Sequence, residues 1–227
     1  NLSNRGMSEG PSSEQRTAIL DAAFRRFARY GYRRTSLGDI AEEVGLSRPA
    51  LYHYFRNKED VFRALSQRIN AGVGAAVAEA ALEPGLPLED RLYAVTAARV
   101  GWAFELLHAS EHGRELIDEK NRLCGPTSAE TNARFAAVIA AILERAAAKG
   151  EIAFDRLGMS STEAAAFLVD CLDGVIGDVA EEAVARQRLR ALARLFATRV
   201  LPYAWYVRRN RPDEGHASVI ALDDRLR

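Results

Sequence analysis

The chain has 227 residues, 48% of them apolar and 27% charged, and its 31 Lys/Arg are balanced by 31 Asp/Glu. These values fit an ordinary globular protein and exclude a disordered, collagenous or disulfide-stapled chain. No apolar run approaches the ~18 residues of a membrane span, and the first ten residues lack the apolar segment of a secretory signal. A cytoplasmic protein is therefore expected, with Cys124 and Cys171 reduced and no membrane partner.

The neutral total hides an asymmetry. Residues 1–70 hold 12 Lys/Arg against 8 Asp/Glu, while residues 71–207 hold 14 against 19. The excess lies where a polyanion would be met, although four charges in seventy residues are also within chance. Residues 1–11 are set aside as a disordered N-terminus or a vector-derived remnant, with Met7 a candidate start. A first helix is predicted from Ser12, with Gln15 completing a capping box, to Gly31, and Ile19, Ala23, Phe24 and Phe27 form its apolar stripe. Arg25, Arg26, Arg29, Arg33 and Arg34 follow, either as a solvated face or as phosphate contacts.

The stretch Thr35–Lys58 carries the most information. Ser36 and Asp39 form a second capping box, Ile40 and Val44 give one apolar face, and Gly45 ends the helix where a left-handed residue is cheapest as glycine. Leu46 plugs a tight turn. Ser47 caps the next helix, Pro49 is tolerated in its first turn, and Leu51 and Phe55 face inward. Its other side shows Arg48, Ala50, Tyr52, His53 and Tyr54. Two short helices so joined are a helix-turn-helix, the second short enough to lie end-on in a DNA major groove.

Thr35-Ser36, Ile40-Ala41, Val44-Gly45-Leu46-Ser47, Leu51-Tyr52-His53-Tyr54-Phe55 and Asn57-Lys58-Glu59 resemble the DNA-binding domain of the tetracycline-repressor (TetR) family. The resemblance covers about the first third of the chain. On this basis Arg48 is expected to read a guanine edge, with Pro49 and Ala50 near thymine methyls or the backbone, and Tyr52 and His53 at the groove wall or bases. Ser36, Tyr54 and Lys58 are expected to hold phosphates, although either Tyr52 or Tyr54 could instead pack on the first helix.

The rest reads as helix throughout. Asn57 caps a helix running to about residue 80, and Glu83-Pro84-Gly85-Leu86-Pro87 breaks the pattern. Further helices are predicted near 88–109, 112–122, 127–149, 161–182 and 185–206, with a tail from Arg208. The predicted fold is thus all-α: a three-helix DNA-binding domain at 12–57, a helical bundle at 58–207 and a C-terminal tail at 208–227.

The resemblance implies that the bundle binds a small-molecule inducer and forms a homodimer through its last two helices. Trp102, Phe104, Leu106, Phe135, Ile139, Ile142 and Phe167 are the candidate pocket walls, each weighed against a plain core role. Leu172, Gly174, Val175, Gly177, Leu192, Phe196 and Val200 are the candidate dimer seam. Asp170 and Asp173 are expected to be exposed, paired with arginines, or facing a cationic ligand, in that order. His108 and His112 stand four apart but not in an H-E-x-x-H pattern, so no metal is expected. No phosphate loop or nucleophile–base pattern occurs, and neither an enzyme nor a cofactor is expected. The reading is a regulator, most simply a repressor, released from double-stranded operator DNA by a largely apolar ligand; the alternative is a ligand-independent dimeric DNA-organising protein.

Overall fold

The computed structural model describes residues 11–152, 154, 158–177 and 181–197. Among them it contains eight α-helices and no strand: α1 (Pro11–Tyr30), α2 (Leu37–Glu43), α3 (Arg48–Tyr52), α4 (Lys58–Leu82), α5 (Leu88–Ala109), α6 (Gly113–Ala148), α7 (Ser161–Gly177) and α8 (Glu182–Ala197). The helix starts at Ser36, Ser47 and Asn57 follow from local chemistry. Each of those side chains accepts a hydrogen bond from an otherwise orphaned N–H of the first turn. The start of α1 differs from expectation. Among the described residues it already includes Pro11, so Ser12 lies inside the helix rather than before it.

The predicted helices at 112–122 and 127–149 are one element, α6, bent at Cys124, whose φ of −119° and ψ of 18° are not helical. Pro126 lacks an N–H and its ring crowds the carbonyl four residues back, so the break expected from the sequence becomes a kink. Arg63 Nε of α4 donates to the Leu123 carbonyl beside that kink at 3.3 Å. The predicted extension of the last helix to residue 206, and the tail, lie outside the described residues.

Two apolar clusters result. The N-terminal cluster joins Ile19, Ala23, Phe27, Ile40, Leu51 and Phe55 to Val61, Phe62 and Leu65 of α4, Leu106 of α5, and Leu116 and Cys124 of α6. The body cluster takes Val77 and Ala81 of α4, Leu92 to Phe104 of α5, Phe135 to Ala146 of α6, and the inner faces of α7 and α8. The clusters therefore part within α4 and at the kink of α6, not between residues 57 and 58. Arg194–Glu89 at 3.2 Å and Arg190 stacked 3.8 Å over the Tyr93 ring tie α8 to α5.

Candidate functional site

The outer face of α3 is small and open. Leu51 and Phe55 are 1% and 3% exposed and fix the helix from below, while Arg48, Pro49, Tyr52 and His53 are exposed and Ala50 is half-buried. The two tyrosines separate: Tyr52 is 56% exposed, whereas Tyr54 is half-buried against the N-terminal cluster. The Tyr54 ring thus packs on the cluster below α3, whereas Tyr52 stands clear of it. The Arg48 guanidinium folds over Gly38, where a Cβ would collide with it, and its charge reaches Asp39.

Ser36 is exposed and its hydroxyl is already engaged. Asp39 N donates to Ser36 Oγ at 3.2 Å, and both the N–H and the O–H of Ser36 donate to the Asp39 carboxylate at 2.7 Å. The backbone N–H of Ser36, then its hydroxyl, hold the Asp39 carboxyl below the ordinary aspartate range, with Arg26 and Arg48 adding to the effect. A depressed folded-state pKa stabilises above the unfolded-state value, and that contribution is lost as pH falls through the folded value. Asp39→Asn should accordingly flatten the acid limb of the urea-midpoint curve below about pH 4, and an unchanged limb would remove this cap as a source of acid sensitivity.

Lys58 does not project freely from the surface. Its Nζ donates to the carbonyls of Tyr32 at 2.7 Å and Arg33 at 3.4 Å, and lies 4.2 Å from the centre of the Tyr32 ring. Burial lowers its pKa, against the opposing charges of Glu119, Glu115 and Asp39, and burial likewise raises that of Tyr32. Two of its three donors thus hold the α1–α2 turn, and the phosphate role has only the third. The nearby arginines divide similarly. Arg25 and Arg26 each pair with Glu43 at 3.0 Å, and Arg33 lies 3.5 Å from the buried Glu119, while Arg34 is exposed.

No local pattern in the chain points to what braces this turn. Arg33 N donates to Glu115 Oε1 at 2.9 Å and Ser110 Oγ to the Ala28 carbonyl at 2.5 Å, both across 82 residues. Glu119, 4% exposed, is also held by Arg122 at 2.7 Å. His112 Nδ1 stands 3.5 Å from Glu115 Oε2. Among the described residues no group of three or more metal-ligating side chains occurs, and the His108 side chain lies outside them.

Two larger spaces lie beneath, among the described residues. An open groove of about 880 Å³ separates α1 from the end of α5 and includes Trp102 and Leu106. A cavity of about 510 Å³ lies between α4, α5 and α6, lined by Gln67, Asn70, Ala71, Val73, Gly74 and Val77 of α4, Arg99 of α5, and Thr127, Glu130, Thr131, Arg134, Phe135 and Val138 of α6. Of the expected pocket walls only Phe135 lines the latter. Phe104, Ile139 and Ile142 are packed inside the body cluster and Phe167 stacks 5.9 Å from Phe196, so these four line neither space. The reason is that large apolar side chains at helical spacing fill the core, whereas space opens beside the small Ala71 and Gly74.

Of the expected seam, Leu172 and Phe196 are 3% and 4% exposed within their own protomer. Val175 and Leu192 are half-buried, Gly174 is exposed with open space where a Cβ would stand, and Leu195, not anticipated, is 44% exposed. Gly177 ends α7, but its surroundings, the Asp173 side chain and Val200 lie outside the described residues; Asp170 is exposed.

Residues 19–65 match the family described as bacterial regulatory proteins, tetR family. The chain is 38% identical over 78 residues to the HTH-type transcriptional regulator AcrR of Shigella flexneri, covering 34% of this chain and 36% of AcrR. It is 29% identical over 123 residues to the HTH-type transcriptional activator FasR of Mycolicibacterium smegmatis, or 54% of each chain. The matches thus span about a third to a half of these relatives. A crystal structure assigned to a TetR-family regulator of a Rhodococcus species superposes with a TM-score of 0.62 at 25% identity, covering 82% of this chain and 99% of that one.

Proposed function

We propose, since this chain belongs to the TetR family of bacterial regulatory proteins, that it is a sequence-specific DNA-binding transcription regulator working as a homodimer and released from operator DNA by a small molecule. The observation that carries this is the exposed face of α3, with Arg48, Tyr52 and His53 outward above the buried Leu51 and Phe55. Arg48 must leave Gly38 to reach a base, and a bidentate contact with guanine rewards that movement. Arg48→Ala should cost about 1–3 kcal/mol and blur preference at one base position, read by fluorescence anisotropy against a duplex library. Equal weakening of every duplex would instead make Arg48 a backbone contact. Repression is the mode proposed, although FasR is named an activator, and a reporter gene behind the operator reads the sign.

The proposed partner surface is the outward side of α7 and α8 around Gly174, Val175, Leu192 and Leu195. Gly174 has open space in the protomer, so Gly174→Leu should not harm the protomer and should gain up to about 1 kcal/mol of helix propensity. It should nevertheless abolish the dimer in sedimentation, and with it tight binding to paired half-sites. An intact dimer would place Gly174 outside the seam. The ligand site is the cavity between α4, α5 and α6. Both α4 and α6 run from the DNA-binding cluster into the body, so a ligand between them can bias the pose of α3. Its lining carries Gln67, Asn70, Arg99, Glu130 and Arg134, which favours a molecule with more polar character than the largely apolar one first expected. DNA affinity that ignores every cavity ligand would favour the ligand-independent DNA-organising alternative.

A further inference from the structure

Most of the positive charge of the N-terminal helices is neutralised within the protein. Arg25 and Arg26 share Glu43, Arg33 reaches Glu119, Arg56 pairs with Asp60 at 2.8 Å, Arg63 with Glu59 at 3.3 Å and Arg68 with Asp21 at 2.7 Å. Arg16, Arg29, Arg34 and Arg48 have no such carboxylate partner among the described residues. Arg29 lines the groove between α1 and α5, beside the Tyr30 ring, and Arg34 is exposed on the α1–α2 turn. Arg16 belongs to α1 but is anchored on α3.

Arg16 Nη1 donates to the Tyr54 carbonyl just past the end of α3 at 3.4 Å, and its Cζ stands 4.4 Å from the centre of the Phe55 ring. Stacking on a ring that is itself 3% exposed holds the guanidinium in one place, while the residue as a whole is exposed. The long bond to Tyr54 uses one of five N–H donors, and the other four have no hydrogen-bond partner among the described residues. A held, planar fork with its charge uncompensated matches a phosphate, and less of its freedom is lost on binding than for a lysine. The competing role is purely internal: a cation at the C-terminal end of α3 and a cover for Phe55.

The position along α3 favours the phosphate. Arg48 opens the helix and Tyr54 follows six residues later, about 9 Å along the axis at 1.5 Å per residue. A recognition helix that reads bases with its N-terminal residues places Arg48 at the floor of a major groove about 8.5 Å deep. Its C-terminal end then stands level with the sugar–phosphate backbone, and that is where Arg16 is held.

We infer that Arg16 is a backbone-phosphate contact of the operator complex, gripping a phosphate while stacked on Phe55 and so fixing the depth of α3 in the groove. This rests on the reading of α3 as the recognition helix. Its added content is the residue and the kind of contact, charge-assisted and blind to base sequence.

The test uses the full chain, the duplex that the unaltered chain selects from a random library, and anisotropy titrations between about 50 and 200 mM KCl. Arg16→Met should weaken binding about a hundredfold at the low-salt end, about tenfold for the contact of each protomer in a dimer. The slope of log affinity against log salt should fall in magnitude by about 1.8, two phosphates at about 0.9 each, so the deficit should shrink to about tenfold at the high-salt end. Arg16→Lys should keep the slope of the unaltered chain, and Arg68→Met, which removes a paired cation of α4, should change neither affinity nor slope. Undiminished affinity of Arg16→Met would overturn the inference. So would weaker binding with an unchanged slope, which would leave Arg16 as a brace of α3 alone, and so would an equal loss of slope in Arg68→Met, which would make the effect one of total charge. Should Arg16→Met fail to show a cooperative melt, Arg16→Gln carries the same measurement. Selection of no duplex by the unaltered chain would overturn the DNA-binding reading together with this contact, whereas the other outcomes bear on Arg16 and leave that reading standing.

Discussion

Replacing Leu51 by alanine is expected to abolish operator binding while leaving the body folded. α3 is five residues long, far below the length at which a helix holds itself together in water, so its existence depends on side chains beneath it. Leu51, 1% exposed, is the one buried residue within the helix itself, with Phe55 just beyond its end. Truncating a buried leucine costs about 2–5 kcal/mol, more than the loss of a base contact at Arg48. Because the body cluster shares none of its buried residues with the cluster around Leu51, the loss should fall on the N-terminal half. Hydrogen exchange should show faster exchange in residues 37–55 with little change in α7 and α8. Tight operator binding by the variant would mean that DNA itself holds α3 in place.

Valine at residue 31 is expected to be far more damaging than valine at residue 45, although both glycines have left-handed backbones. Gly31 has φ of 84° and Gly45 φ of 71°, a region costing a branched residue about 1–3 kcal/mol. The surroundings separate them. A Cβ at residue 45 meets nothing within 4 Å, whereas one at residue 31 collides with the Glu115 carboxylate and comes within 3.2 Å of His112 Nδ1. Displacing Glu115 removes its bond to Arg33 N and loosens the brace between α6 and the α1–α2 turn. Overpacking adds about 1–3 kcal/mol, giving about 2–6 kcal/mol at residue 31 against about 1–3 at residue 45. Urea unfolding measures the difference, and equal losses would mean that Glu115 moves aside at no cost. If α6 acts on the DNA-binding helices through this brace, Gly31→Val should also reduce ligand-dependent DNA release more than Gly45→Val does.

The DNA-binding element was legible from residues alone because its determinants are local. Ser36, Asp39, Gly45, Ser47, Pro49 and Asn57 act within three or four positions of themselves, and the alternation of Ile40, Val44, Leu51 and Phe55 names the inward face. The all-helical body was legible for the same reason, as was the interruption near Pro126. Periodicity could not say whether that interruption separates two helices or bends one, since this depends on what packs against both halves. Nor could it divide apolar residues between core, cavity and seam. Phe104, Ile139 and Ile142 went to the core, Leu172 and Phe196 were claimed by their own protomer, and the cavity opened beside Ala71 and Gly74. Lys58 follows the same rule: its charge suggested a phosphate, and the carbonyls of Tyr32 and Arg33 took two of its donors. The contacts of Glu115 with Arg33 and of Ser110 with Ala28 join residues 82 apart. Caps, turns and helical faces are set by neighbours a few residues away, whereas competition for buried space and for polar partners is decided only once distant segments meet.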